Sequence, residues 1–148
     1  MTYVTQLGPL AIKKIWSDLR FGLQQSLPPT GKQSMRSYTY ILSDLLSGRA
    51  QCWVAYGVKD EVYSLHGFVI TFLRSDPLTR DKYLHLYSMY AFQQMSLEDW
   101  NRLQDIVEKF AEVNNCTALT SFTNNPAIAR NFERRGGKND WQYWYKEL

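Results

Sequence analysis

Within the stretch "YLHLYSMYAF", residues 83–92, a histidine and a tyrosine stand two positions apart. Residues so spaced in an extended strand share a face. His85 and Tyr87 are therefore the polar pair best suited to proton transfer: an imidazole that titrates near neutrality beside a phenol that keeps its proton. Strict alternation adds Met89 to that face and puts Leu84, Leu86, Ser88 and Tyr90 on the other. His66 joins the pair if its own strand pairs in the right register. The same residues also suit half-buried aromatic packing satisfied by neighbours, so both readings stay open. Tyr143 and Tyr145 are two further phenols that could reach a cleft.

Other chemistries are harder to build from this chain. Cys52 and Cys116 are far apart, with no CxxC or Cys/His cluster, and read as buried thiols in a reducing compartment. His66 and His85 lack metal-ligand spacing, so no metal is expected. No serine sits in a strand-turn-helix elbow, and no glycine-rich loop is present to cradle phosphate. The net charge of +3 comes from scattered Lys and Arg, with no basic run, so no nucleic-acid partner is expected. The opening "MTYVTQLGPL" lacks the pattern of a signal peptide, and no stretch approaches the roughly 18 apolar residues of a membrane span. A soluble, cytoplasmic protein is the expectation.

The 148 residues suggest one domain, 1–148, with a core rich in aromatic side chains. "TYVTQ" reads as a short strand. Leu10, Ile12, Ile15, Trp16, Leu19 and Leu23 recur at helical spacing. A loop, "SLPPTGKQS", precedes a second helix carrying Tyr38, Ile41, Leu42, Leu45 and Leu46, with Gly48 just past its end. "QCWVAYGVKD" and "EVYSLHGFVITFLR" form a hairpin around Lys59-Asp60-Glu61, and "YLHLYSMYAF" is the next strand. Ser96 caps a long helix whose start is favoured by Glu98 and Asp99. Its apolar stripe is Leu97, Trp100, Leu103, Ile106, Val107, Phe110 and Val113. "CTALTSF" is a strand and "WQYWYKEL" a final one. Between them, Asn125 caps and Pro126 opens a short helix; Arg134 and Arg135 complement its dipole, and Gly136 takes the left-handed conformation that ends it.

The predicted order is β-α-α-β-β-β-α-β-α-β, an α/β (or α+β) fold with a mixed sheet of about six strands and helices on both faces. That order resembles the GNAT N-acetyltransferases. The residues that carry the likeness are "YLHLYSMYAF", the long helix after it, "CTALTSF" and "NPAIARNFERRGG", where Asn125, Phe132, Gly136 and Gly137 match an Asn, aromatic, Gly pattern. The resemblance implies acetyl-CoA as cofactor and an amine as acceptor. It also implies a cleft where two neighbouring parallel strands part, leaving backbone groups free to pair with a pantetheine arm, while a helix start faces the pyrophosphate. Carried onto this chain, the cofactor residues are Tyr90, Ala91, Phe92, Gln93, Ser96, Asn125 and Phe132, with His85 and Tyr87 as the catalytic pair.

Two positions depart from the family pattern. The turn "QQMSLE" has Ser96 and Glu98 where small residues are usual, and without glycine the backbone cannot approach phosphate so closely. Glu98 and Asp99 also compete for the positive field of the helix start. Phe132 stands where many members have a tyrosine that protonates the leaving thiolate, and phenylalanine has no proton to give. The chain is also similar to small phage-encoded GNAT-like proteins, which implies a second reading: a non-catalytic binding or structural protein with a protein partner, located in a virion. Trp141, Trp144 and Tyr145 fit either such an interface or core packing.

Overall fold

The computed structural model describes residues 1–27 and 31–148. Residues 28–30, part of the predicted loop "SLPPTGKQS", lie outside the described residues. The elements are β1 (Thr2–Gln6), α1 (Pro9–Lys14), α2 (Trp16–Ser26), α3 (Met35–Ser47), β2 (Ala50–Lys59), β3 (Val62–Ser75), β4 (Lys82–Ala91), α4 (Leu97–Val113), β5 (Cys116–Ser121) and α5 (Pro126–Arg134). One sheet of the order β1-β2-β3-β4-β5 runs antiparallel throughout except for β4 and β5, which are parallel. The β2–β3 hairpin turns on Asp60 and Glu61 alone, both at positive φ, the conformation whose twist matches that of the flanking strands.

Alternation along the central strands supplies an apolar set to each face, and each face has its own core. Under α1, α2 and α3 lie Ile12, Leu19, Leu23, Leu45, Val54, Phe68 and Ile70. Against α4 lie Trp53, Val69, Leu84, Leu86, Leu103 and Val107. A buried polar relay stiffens β2 and β3: Trp53 Nε1 donates to Thr71 Oγ1 at 3.0 Å, and Thr71 donates to Gln51 Oε1 at 2.9 Å. With every partner satisfied, such a relay specifies the register at little cost.

Four expectations need correction. The first predicted helix is two: it restarts at Ile15, whose carbonyl accepts the N–H groups of both Asp18 and Leu19. Five strands are present among the described residues, not six. "WQYWYKEL" has strand-like composition, but a strand exists only where its backbone finds a ladder. Here no ladder to β5 forms; the ring of Tyr143 packs on Phe122 instead, at 4.6 Å, and Trp141 and Trp144 stand 90% and 82% exposed rather than in the core. The α4 stripe is shorter than its pattern, since Leu97 and Val113 at the two ends project beyond the sheet into solvent. Cys52 is buried, its thiol pushed up to about 12 by desolvation, whereas Cys116 at the start of β5 is only half-buried. No described helix is long and apolar enough to cross a membrane.

Candidate functional site

The site begins with one extra residue. In the β3–β4 ladder Thr71 opposes Leu86 and Ile70 opposes Ser88, so Tyr87 is a bulge. A bulge adds a residue without a partner and moves all that follows to the opposite face. His85 and Tyr87 share a face as predicted, but Met89 does not join them, and Ser88 and Tyr90, expected on the opposite face, do. His85, Tyr87, Ser88 and Tyr90 all face α2 and α3, while Leu84, Leu86, Met89 and Ala91 face α4. Ser88, fully buried, is tied to the end of α2 by a 2.6 Å hydrogen bond between its hydroxyl and that of Ser26.

The bulge also ends the pairing of β4 with β5. Lys82 to Leu86 run beside Cys116 to Ser121, and the last link is the Ser121 hydroxyl donating to the Leu86 carbonyl at 3.3 Å. β5 ends there, and Tyr87 to Ala91 pair with β3 alone, which leaves a slot along the other edge of β4. Phe92 N–H donates to the His66 carbonyl at 2.8 Å. Counting back by the antiparallel alternation, Met89 and Ala91 turn their N–H and C=O away from β3, into the slot. An amide-bearing arm lying in the slot would find those groups spaced as a strand presents them.

His85 sits just below the slot. Its Nδ1 lies 2.9 Å from Thr120 Oγ1 on β5, and its ring meets Phe122 edge-on at 5.2 Å. Burial, reinforced by the Arg74 guanidinium, holds its pKa below the usual 6.5, so the imidazole is neutral and basic at neutral pH. Tyr87, 6.5 Å away between ring centroids, is shifted the other way: burial first, then the neighbouring Tyr38, keep its phenol protonated. One neutral acceptor and one retained donor thus share a face. His66 is not with them. It lies opposite Phe92, whereas His85 lies opposite Phe72 towards the other end of β3, and its Nε2 bonds Ser64 Oγ at 3.2 Å.

The remaining sequence-derived residues fall into two groups. Tyr90 and Phe92 point their rings into an aromatic cluster with Phe21 and Phe68 beneath α2, leaving only their backbone near the slot. Ala91 and Phe132 face the α4 side, where Phe132 packs against the core. Gln93 is exposed in the link to α4, and Ser96 caps that helix by accepting the Asp99 N–H at 3.1 Å. Met95, absent from every sequence-level list, anchors the link: a Cβ on Gly67 would lie 2.6 Å from its sulfur, so glycine there admits the close approach. Asn125 caps α5 through the Ala127 N–H at 2.9 Å. Gly136, at φ 91°, closes α5 with paired bonds from Gly136 N–H to Glu133 and Gly137 N–H to Phe132. Arg135 serves less as a dipole partner than as a clamp, its Nη2 lying 2.6 Å from Asp105 and 3.0 Å from Glu108 on α4. Because β4 and β5 are parallel, the starts of α4 and α5 open on the same edge of the sheet as the slot.

A cavity of about 190 Å³ opens beside Tyr87, between α2 and α3. Leu23, Leu27, Ile41 and the Tyr38 ring form its apolar wall, and Lys32, Gln33 and Ser37 its polar side. Sequence reasoning missed this cavity, the bulge and Thr120. Among the described residues, no three His, Cys, Asp or Glu side chains group as a metal site would require.

The slot fits the pantetheine arm of acetyl-CoA by its two unpaired residues. The start of α4 fits an anion less well, since Glu98 and Asp99 occupy its first turn, although Asp99 is partly neutralised by Arg102 at 3.7 Å. No family model matches the sequence, and no curated protein is similar to it. Solved structures do match. A predicted acetyltransferase with acetyl-CoA from Clostridium acetobutylicum is 11% identical, with 98% of this chain and 96% of that one covered and a TM-score of 0.72. AAC(6')-Iy in complex with a CoA-S-monomethyl-acetylneamine bisubstrate analog is 16% identical over 100% and 98%, at 0.70. A GNAT family acetyltransferase from Staphylococcus aureus is 14% identical over 99% and 98%, at 0.63. At such identities the likeness is one of architecture, and that architecture is the GNAT acetyltransferase fold.

Proposed function

We propose that this protein is an acetyl-CoA-dependent acyltransferase that acetylates an amine by direct attack. The observation that carries the reading is the slot: pairing of β4 with β5 stops at Leu86 and Ser121 while β4 runs on to Ala91 with one edge unpaired. The backbone of Met89 and Ala91 would hold the pantetheine amides, and the start of α4 near Ser96, with the adjoining Gln93, would receive the pyrophosphate. Asn125 and Phe132 wall the α5 side. When bound, acetyl-CoA supplies a thioester whose carbonyl carbon is open to an amine. The amine nitrogen forms the C–N bond as the C–S bond breaks. His85, neutral and half-buried, takes the proton that the nitrogen sheds, directly or through one water. Tyr87 returns a proton to the departing sulfur, the task Phe132 has no group to perform. Desolvation sets the resting state of each group, a neutral imidazole and a protonated phenol, because it disfavours imidazolium and phenolate alike; by the same measure it lowers the basicity of His85 and the acidity of Tyr87.

A second reading, a GNAT-fold binding protein without catalysis, is favoured by Glu98 and Asp99 at the α4 start, whose charge opposes a phosphate. Thermal unfolding with acetyl-CoA and assay of thiol release separate the two. Saturation at one hundred times the dissociation constant adds about 2.7 kcal/mol of stability. Stabilisation with thiol release that falls in H85Q and Y87F supports the enzyme. Stabilisation without release supports the binding protein, and no shift at millimolar acetyl-CoA overturns the cofactor assignment.

A further inference from the structure

We infer that the acceptor is a small amine with an apolar body and a carboxylate, of the kind an apolar α-amino acid provides, and that it sits in the cavity between α2 and α3. The inference rests on the acyltransferase reading for its chemistry and on the cavity for its substrate class. A cavity of about 150 Å³ already admits benzene, so about 190 Å³ accommodates a leucine- or phenylalanine-sized side chain. Leu23, Leu27, Ile41 and the rings of Tyr38 and Tyr87 offer such a side chain an apolar bed. Tyr87 lines the cavity and is also the bulged residue just past the last β4–β5 pair, so the cavity adjoins the start of the open half of β4.

Charge decides the rest. Among the described residues lining the cavity, Lys32 is the one that is charged and none is a carboxylate. The segment 27–34 that joins α2 to α3 contains no Asp or Glu anywhere in its sequence. The first turn of α3 is likewise free of acidic residues, and Asp44 at that helix's far end is paired with Arg49 at 2.9 Å. A polyamine or polycationic sugar would lose water from several ammonium groups here and find no carboxylate to replace it. A carboxylate on the acceptor, in contrast, meets Lys32, with the Gln33 side-chain NH2 beside it as a donor; the Ser37 hydroxyl is engaged in the α3 capping box with Ser34.

The test compares L-phenylalanine, L-phenylalaninamide, 2-phenylethylamine and spermidine as acceptors by thiol release. It also measures ¹⁹F line broadening of 4-fluoro-L-phenylalanine by the protein without cofactor. L-phenylalanine should exceed the amide and spermidine at least tenfold in kcat/KM. K32E, at an exposed position that leaves the core intact, should reverse the preference between acid and amide; K32A should abolish it. Equal or faster turnover of the amide, the signature of a peptide N-terminus, overturns the inference, as does preferred turnover of spermidine or a ratio unmoved by K32E. Broadening that persists in a protein that fails to bind acetyl-CoA removes the acyltransferase reading and keeps the cavity's ligand class. Acetyl-CoA binding with no broadening and no turnover of phenylalanine removes the ligand class alone.

Discussion

The two halves of β4, "KYLHL" and "YSMYA", lie on one continuous strand and have opposite duties. From Lys82 to Leu86 the strand lies between β3 and β5, with Leu84 and Leu86 sealed into the α4 core. From Tyr87 to Ala91 one edge is open, and every residue but Ser88 is only half-buried. The bulge at Tyr87 separates a half that stabilises the sheet from a half that can hold something else. An open edge is ordinarily a hazard, since unpaired backbone groups invite foreign strands. Here it is short, five residues from Tyr87 to Ala91, and a strand that short offers another chain little to pair with.

Substitutions should read out this division of labour. The largest expected effect is Leu84→Ala, which empties a fully buried position in the paired half and should cost about 2–5 kcal/mol. Met89→Ala in the open half should cost clearly less, and equal losses in urea titrations would erase the distinction. Ala91→Pro removes an N–H that points into the slot and bonds nothing in β3. Stability should fall by no more than about 1–2 kcal/mol, as for proline at a strand edge, while stabilisation by acetyl-CoA disappears. Retained cofactor stabilisation in that variant would sink the backbone-pairing proposal.

A smaller effect concerns the α4 start. Glu98→Gln should lower stability by about 0.3–1 kcal/mol, because a carboxylate near a helix N-terminus is favourable. It should at the same time tighten acetyl-CoA binding a few-fold in calorimetry; weaker binding would place the pyrophosphate elsewhere. The last prediction concerns pH. Burial lowers the folded-state pKa of His85, so the unfolded chain takes up this proton at higher pH than the folded one. Its contribution is neutral above the unfolded value of about 6.5. Stability is then lost as pH falls from there towards the folded value. His85→Gln should flatten that part of the stability profile. A profile unchanged by the substitution would mean that the imidazole is as solvated folded as unfolded.

Local chemistry was enough to write most of this fold in the sequence. The Ser96 and Asn125 caps, the left-handed glycines Gly48 and Gly136, the proline opening α5 and the 3.6-residue stripe of α4 all operate within a few residues. The likeness of element order to the GNAT acetyltransferases rested on these same features, and the architecture agrees. Less of the candidate site was legible. His85 and Tyr87 could be placed on one strand, but Ser88, Tyr90 and Met89 were assigned to the wrong faces, because nothing in "YLHLYSMYAF" marks where an unpaired residue will fall.

Tertiary structure alone decided the site, and the reason is that a site is made by pairing. Whether Tyr87 is bulged depends on how β3 lies against β4, and whether Met89 and Ala91 are free depends on where β5 stops. The same reason explains the error at the C-terminal end, where "WQYWYKEL" had the composition of a strand but no partner edge to complete it. Propensity belongs to a segment; a ladder, a slot and a cavity belong to two or more segments that meet only in the folded chain.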